Sequence, residues 1–128
     1  MSRTQSLGRW GEQTAAQHLE EKGYTILARN QRTPYGEIDL IAHQPGTDLV
    51  QTGTLVFVEV KTRASRSLGR PEISVSRRKQ AHLLASIQHY IQSQPTQPSD
   101  WRLDVIAIER MPDEPACITH FENAVSDL

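Results

Sequence analysis

Three carboxylates and one lysine stand where apolar side chains would bury at less cost. The run Leu55-Val56-Phe57-Val58-Glu59-Val60-Lys61 is nearly continuously apolar until its end. Side chains alternate along a strand, so Glu59 and Lys61 share a face. Asp39 interrupts Ile38 and Leu40 in a stretch otherwise suited to a core. Asp is disfavoured in strands and rarely buried without a partner. Glu12 precedes Ala15, Ala16 and Leu19 at helical spacing and falls on the apolar face they define. One such residue is most simply an internal salt bridge, Glu59 with Lys61 or Asp39 with Arg63. The set together suits metal-assisted phosphodiester hydrolysis. Hard oxygen ligands from two or three carboxylates hold Mg²⁺, which polarises a phosphoryl oxygen and activates water. A lysine beside the ion can position that water or stabilise negative charge on phosphorus.

The elements that must position these groups are legible. Apolar spacing from Leu7 to Lys22 predicts a helix stopped by Gly23. Strands are predicted over Tyr24–Ala28, Glu37–Ala42 (after the Pro34–Gly36 turn) and Leu55–Lys61, the last a central strand buried on both faces. Ser76–Gln92 reads as a second helix, capped by Ser74 or Ser76, with Leu84, Ile87 and Ile91 on one side. Trp101–Glu109 reads as the last core strand and Ile118–Phe121 as an edge. The αβββαβ order implies an α/β fold with a mixed central sheet flanked by helices.

The segments Gly36-Glu37-Ile38-Asp39-Leu40-Ile41-Ala42 and Phe57-Val58-Glu59-Val60-Lys61-Thr62-Arg63 resemble the PD-(D/E)xK nuclease signature. Asp39 matches its D and Glu59-Val60-Lys61 its ExK, while Ile38 replaces the proline. Gly8-Arg9-Trp10-Gly11-Glu12, followed by Ala15-Ala16, resembles the N-terminal helix that supplies an extra acidic ligand. The likeness extends to Asn30, Gly69, Pro71, Lys79 and Arg102–Ile106. Over Gly8–Ile108 the chain resembles the YraN-like bacterial family, which is similar to archaeal Holliday-junction resolvases. The resemblance implies a restriction-endonuclease-like fold and a metal-dependent DNA endonuclease, with branched or structured DNA as the substrate suggested by the resolvases. Asp39 and Glu59 would hold Mg²⁺ or Mn²⁺, Glu12 would be an outer or second-metal ligand, and Lys61 would act on water or on the transition state. The rival reading is a nuclease fold that binds nucleic acid or a protein without cutting.

The charge distribution bears on the partner. The 128 residues carry a net charge of −1, which is unusual for a dedicated nucleic-acid binder. Yet Lys61, Arg63, Arg66, Arg70, Arg77, Arg78 and Lys79 face only Glu72 across 61–79, leaving +6 there and −7 elsewhere. Arg63, Arg66, Arg70, Arg77, Arg78 and Lys79 are therefore candidate phosphate contacts, and a solvated basic loop is the alternative. Three cations at the start of the second helix oppose its dipole, which suggests a bound anion there, or simply an exposed charged turn.

Other residues carry weaker signals. Glu37 shares a face with Asp39 and is either a further ligand or a solvated strand end. Gln80 is read as a satisfied amide, Asp104 as the partner of Arg102 or another cation, and Trp10 and Trp101 as core or interface residues. His18, His43, His82, His89 and His120 lack zinc-ligand spacing. The lone Cys117 is read as a small apolar residue in a reducing cytoplasm. The length suits a single domain over 1–128. No apolar run reaches the roughly 20 residues of a membrane span, and Met1–Trp10 lacks the apolar stretch of a secretory leader, so neither is expected. A domain this small offers limited surface to a duplex, so a symmetric homodimer is a candidate assembly.

Overall fold

The computed structural model describes residues 3–46, 53–64, 76–98 and 100–124. Helix α1 spans Arg3–Glu21 and α2 spans Arg77–Ser93. Strands β1 (Thr25–Thr33), β2 (Gly36–Gln44), β3 (Thr54–Arg63), β4 (Trp101–Glu109) and β5 (Cys117–Phe121) form one sheet in chain order. Only β3 and β4 run parallel, joined through α2, and the other neighbouring pairs are antiparallel. This is the expected α/β architecture with its mixed sheet. The strands mostly run longer than predicted because ladder pairing continues into polar residues that carry no apolar signal, Asn30–Thr33 of β1 among them.

Each helix covers a separate core. Ala15, Ala16 and Leu19 of α1 pack with Tyr24, Leu40, Val56, Val58, Ile106 and Ile108. Leu83, Ile87 and Ile91 of α2 pack with Ile38, Ile41, Phe57 and Leu103. The inward residue is thus Leu83, not the expected Leu84, because the helix presents its Leu83–Ile87–Ile91 ridge to the sheet. Ser76 is the N-cap, its hydroxyl accepting from the Lys79 N–H at 3.2 Å. Ser74 and the Arg66–Pro71 portion of the basic segment lie outside the described residues.

Two close approaches set where α1 lies. Gly11 is buried against β3, and a Cβ there would overlap Thr62 Oγ1. Only a glycine lets the helix come this near. Trp10 packs on the same core, and the Arg110 guanidinium stands 5.2 Å from its ring centroid. Trp101 meets Phe57 edge-on at 5.9 Å, and both tryptophans are half-buried and pack against the cores.

Asp104 is fully buried in β4 and gathers a set of polar partners. Arg102 donates to it through Nε at 2.9 Å, His120 Nε2 lies at 2.7 Å, and the Asn123 N–H donates at 2.9 Å. Lys22 Nζ stands 3.1 Å from His120 Nδ1. An ammonium can only donate, so Nδ1 accepts and Nε2–H donates to Asp104. Burial alone would raise the Asp104 pKa. The bonds from His120, Arg102 and Asn123 outweigh it and hold the group below its ordinary value. Asp104 is therefore structural, as expected, and its partners fasten β5 to β4. Cys117 corrects an expectation: it is exposed at the start of edge strand β5, where no apolar neighbour layer covers it. No described helix is long and apolar enough to cross a membrane.

Candidate metal centre

The β2–β3 ladder runs from Gln44↔Thr54 to Leu40↔Val58 and stops. Beyond it the two strands part. The Val60 N–H, which would otherwise face the gap unpaired, donates to Asp39 Oδ2 at 2.8 Å. A side chain thus takes over where the backbone ladder ends. Side-chain alternation also breaks here: Ile38 and Ile41, three apart, both pack on the α2 side. Opposite, β1 has a register irregularity at Ile26/Ala28, and Asn30 adopts a left-handed conformation with φ of 50°. Asparagine tolerates that region well. The Asn30 side chain hydrogen-bonds Glu12, fixing the acid delivered by α1.

Glu12, Glu37 and Asp39 meet at this gap, with one carboxylate oxygen of each within 4.8 Å of the others. Burial and the neighbouring charges disfavour ionisation of Glu12 and Asp39. Burial raises the Glu12 pKa, the Asn30 bond opposes it, and Glu37 and Glu59 raise it further. Asp39 is pushed up to about 7, first by burial and then by the charge of Glu59, against the Val60 N–H. Neighbouring carboxylates that repel one another are a poor way to stabilise a fold and a good way to receive a cation.

Glu59 is buried beside Asp39, and its partner comes from α2. Lys79 Nζ lies 2.6 Å from Glu59 Oε1, which raises the lysine's pKa. Glu59 takes Lys79 and Asp39 takes a backbone N–H. Lys79, considered for phosphate, therefore stands against a carboxylate at the helix start, an anion supplied by the chain itself. Lys61 is half-buried, and desolvation followed by the charge of Lys79 lowers its pKa, with Glu59 opposing. Arg63 lies two residues further along β3, and Arg77 and Arg78 are exposed in the first turn of α2. Gln80 is half-buried on α2. His43 lies away from the acids, lining a separate pocket with Gly53 and Leu55.

Sequence reasoning named Asp39, Glu59 and Glu12 as ligands and left Glu37 open. The structure brings Glu37 into the oxygen cluster and holds Glu59 at its border against Lys79. The signal for Glu37 was its two-residue spacing from Asp39. No sequence signal could show that Lys79 would reach Glu59, because that contact depends on the path of α2.

The donor set fits a hard divalent cation. It is all carboxylate, with no histidine or cysteine in the cluster. In an octahedral Mg²⁺ shell neighbouring oxygens stand about 3.0 Å apart and opposite ones about 4.2 Å, so a trio within 4.8 Å would draw together by up to roughly 1.8 Å around the ion.

Comparison with known proteins gives the lineage. Proteins described as UPF0102 protein are similar over nearly the whole chain. One from Syntrophotalea carbinolica is 43% identical over 119 residues, covering 93% of this chain and 90% of that protein. One from Syntrophomonas wolfei is 42% identical, covering 92% and 96%. One from Symbiobacterium thermophilum is 45% identical over 107 residues, covering 84% and 85%. The family model matches residues 11–108, a span that includes every carboxylate of the cluster, and the chain belongs to the uncharacterised protein family UPF0102.

Proposed function

We propose that the chain is a Mg²⁺- or Mn²⁺-dependent DNA endonuclease acting on branched or structured DNA. The observation that carries this reading is the meeting of Glu12, Glu37 and Asp39 at a strand gap bordered by Glu59. When bound, the cation would polarise the scissile phosphoryl group and acidify a water. Asp39 would hold it, with Glu12 and Glu37 completing the oxygen set and Glu59 joining as Lys79 yields. Asn30 keeps Glu12 aimed into the gap, and the Val60 N–H fixes one oxygen of Asp39 so that the other is turned to the site. Lys61 orients the attacking water or holds the charge that develops on phosphorus. Desolvation, and then the charge of Lys79, lower its pKa from the ordinary lysine value, which eases loss of its proton. Arg63, Arg77 and Arg78 would meet neighbouring phosphates, together with Arg66 and Arg70.

One observation favours a second reading. The Lys79–Glu59 pair at 2.6 Å supplies an internal counter-ion, as expected of a nuclease fold that binds without cutting. A cleavage panel separates the two. Single-stranded, duplex, flap and four-way-junction DNA are incubated with Mg²⁺ or Mn²⁺. The enzyme reading expects metal-dependent cleavage that Glu59→Ala abolishes with the fold retained. Lys61→Ala should lower kcat by about 10²–10³. Binding in EDTA with no cleavage in either metal would support the binding module. Sedimentation with and without DNA tests the dimer.

A further inference from the structure

A second cavity adjoins the cluster. It measures about 380 Å³ and lies between the β1–β2 turn and the first turns of α2. Glu37 and Lys79 line it, so it opens beside the proposed metal site. Its volume is at the lower end of the roughly 300–1,000 Å³ of ligand sites, which suits one nucleotide and excludes a duplex.

The lining is unusual for a bare surface hollow. Tyr35, at the tip of the turn, is 54% exposed, one of two large apolar side chains so placed among the described residues. The turn that carries it is fastened. The Thr33 hydroxyl lies 2.9 Å from the Gly36 carbonyl oxygen and 2.8 Å from Ser86 Oγ on α2. The Tyr35 N–H donates to Thr33 Oγ1 at 3.1 Å, and its ring meets His89 edge-on at 6.1 Å. An exposed aromatic ring held in place by its surroundings is a stacking platform with little left to order on binding. Arg78, His82 and Ser76 add polar groups able to meet a base edge or a phosphate.

We infer that this pocket takes one unpaired nucleotide of the DNA strand next to the cleavage point, its base stacked on Tyr35 and its polar edge met by α2. The inference rests on the nuclease reading and supplies its missing selectivity. A paired base cannot enter, so DNA that already has a splayed nucleotide is favoured by the unpairing it avoids. A flap carries such a nucleotide and a blunt duplex does not.

The test is fluorescence anisotropy in EDTA with two DNAs of one sequence. One is a flap duplex with 2-aminopurine at the first unpaired position, the other a blunt duplex. The wild type should prefer the flap and quench the probe. Tyr35→Ala should weaken flap binding by about 5- to 150-fold and leave blunt-duplex affinity unchanged, while Tyr35→Phe keeps the preference. The ratio of flap to duplex affinity should persist as salt rises, because stacking releases no counterions. His82→Ala, exposed on α2, gives a second variant with the same selective loss should Tyr35→Ala fold poorly. Equal loss on both DNAs, an unaffected flap affinity or an unquenched probe overturns the pocket assignment alone. Failure of the wild type to bind either DNA at low salt overturns the nuclease reading with it.

Discussion

Removing the charge of Asp39 should stabilise the metal-free protein. In most buried ion pairs, deleting one partner leaves a stranded charge and destabilises. Here the stranded charge is the carboxylate itself. The displacement from 3.8 to about 7 corresponds to a penalty of about 4 kcal/mol on the ionised form in the folded state. Burial and Glu59 are its main sources. Asparagine keeps an oxygen for the Val60 N–H but none of the charge, and it still has to be desolvated. About half of the penalty, about 2 kcal/mol, should be recovered. For a chain of this length that raises Tm by about 7 °C. The gain depends on pH. Between about 4 and about 7 the folded state holds a proton on Asp39 that the unfolded chain has released, so wild-type stability falls as pH rises through that window. The advantage of Asp39→Asn should therefore be full above pH 7 and fade toward pH 4. Scanning calorimetry in EDTA at pH 4.5 and 8 measures it. Added Mn²⁺ should raise the wild-type Tm and leave that of Asp39→Asn unmoved. A variant less stable than wild type at pH 8, or one with an undiminished Mn²⁺ shift, would refute the reasoning.

Metal affinity should rise with pH, because the ion must displace the proton on Asp39. Titration calorimetry should find binding weakening by up to about tenfold per pH unit below about 7. Gly11→Ala would drive a Cβ into Thr62 Oγ1. It should cost about 1–3 kcal/mol in urea melts and weaken metal binding by moving Glu12, with part of the loss restored by Thr62→Ala. Asp104→Ala leaves Arg102 short of its buried partner and should cost about 3–5 kcal/mol. The folded Asp104 pKa is depressed, so its contribution is present above about pH 4 and lost as acid carries the protein through that lower value. Acid unfolding of the wild type should begin there.

The elements were legible because their patterns are local. Leu55–Val60 has few readings besides a central strand, and Gly23 stops α1 as its position implies. Asp39, Glu59 and Glu12 stood out for the opposite reason: each breaks a pattern that packing would favour. What escaped depends on three-dimensional path. The Leu83 ridge differs from a Leu84 ridge by about 100° of helix rotation, which one apolar residue in either place does not settle. The Glu59–Lys79 pair joins β3 to α2, and the His120–Asp104 bond joins the antiparallel strands β5 and β4. Spacing rules for histidine ligands see neither. The parting of β2 from β3 beyond Leu40↔Val58 leaves no composition signal, yet it is what makes room between the acids.

The most direct measurement is anomalous diffraction from crystals of the full chain grown with Mn²⁺ near pH 8. The account expects one strong peak in the gap between β2 and β3, ligated by Asp39 with Glu12 or Glu37, and Glu59 turned from Lys79 toward it. A map without density there, in crystals whose carboxylates keep the contacts they have now, would contradict it.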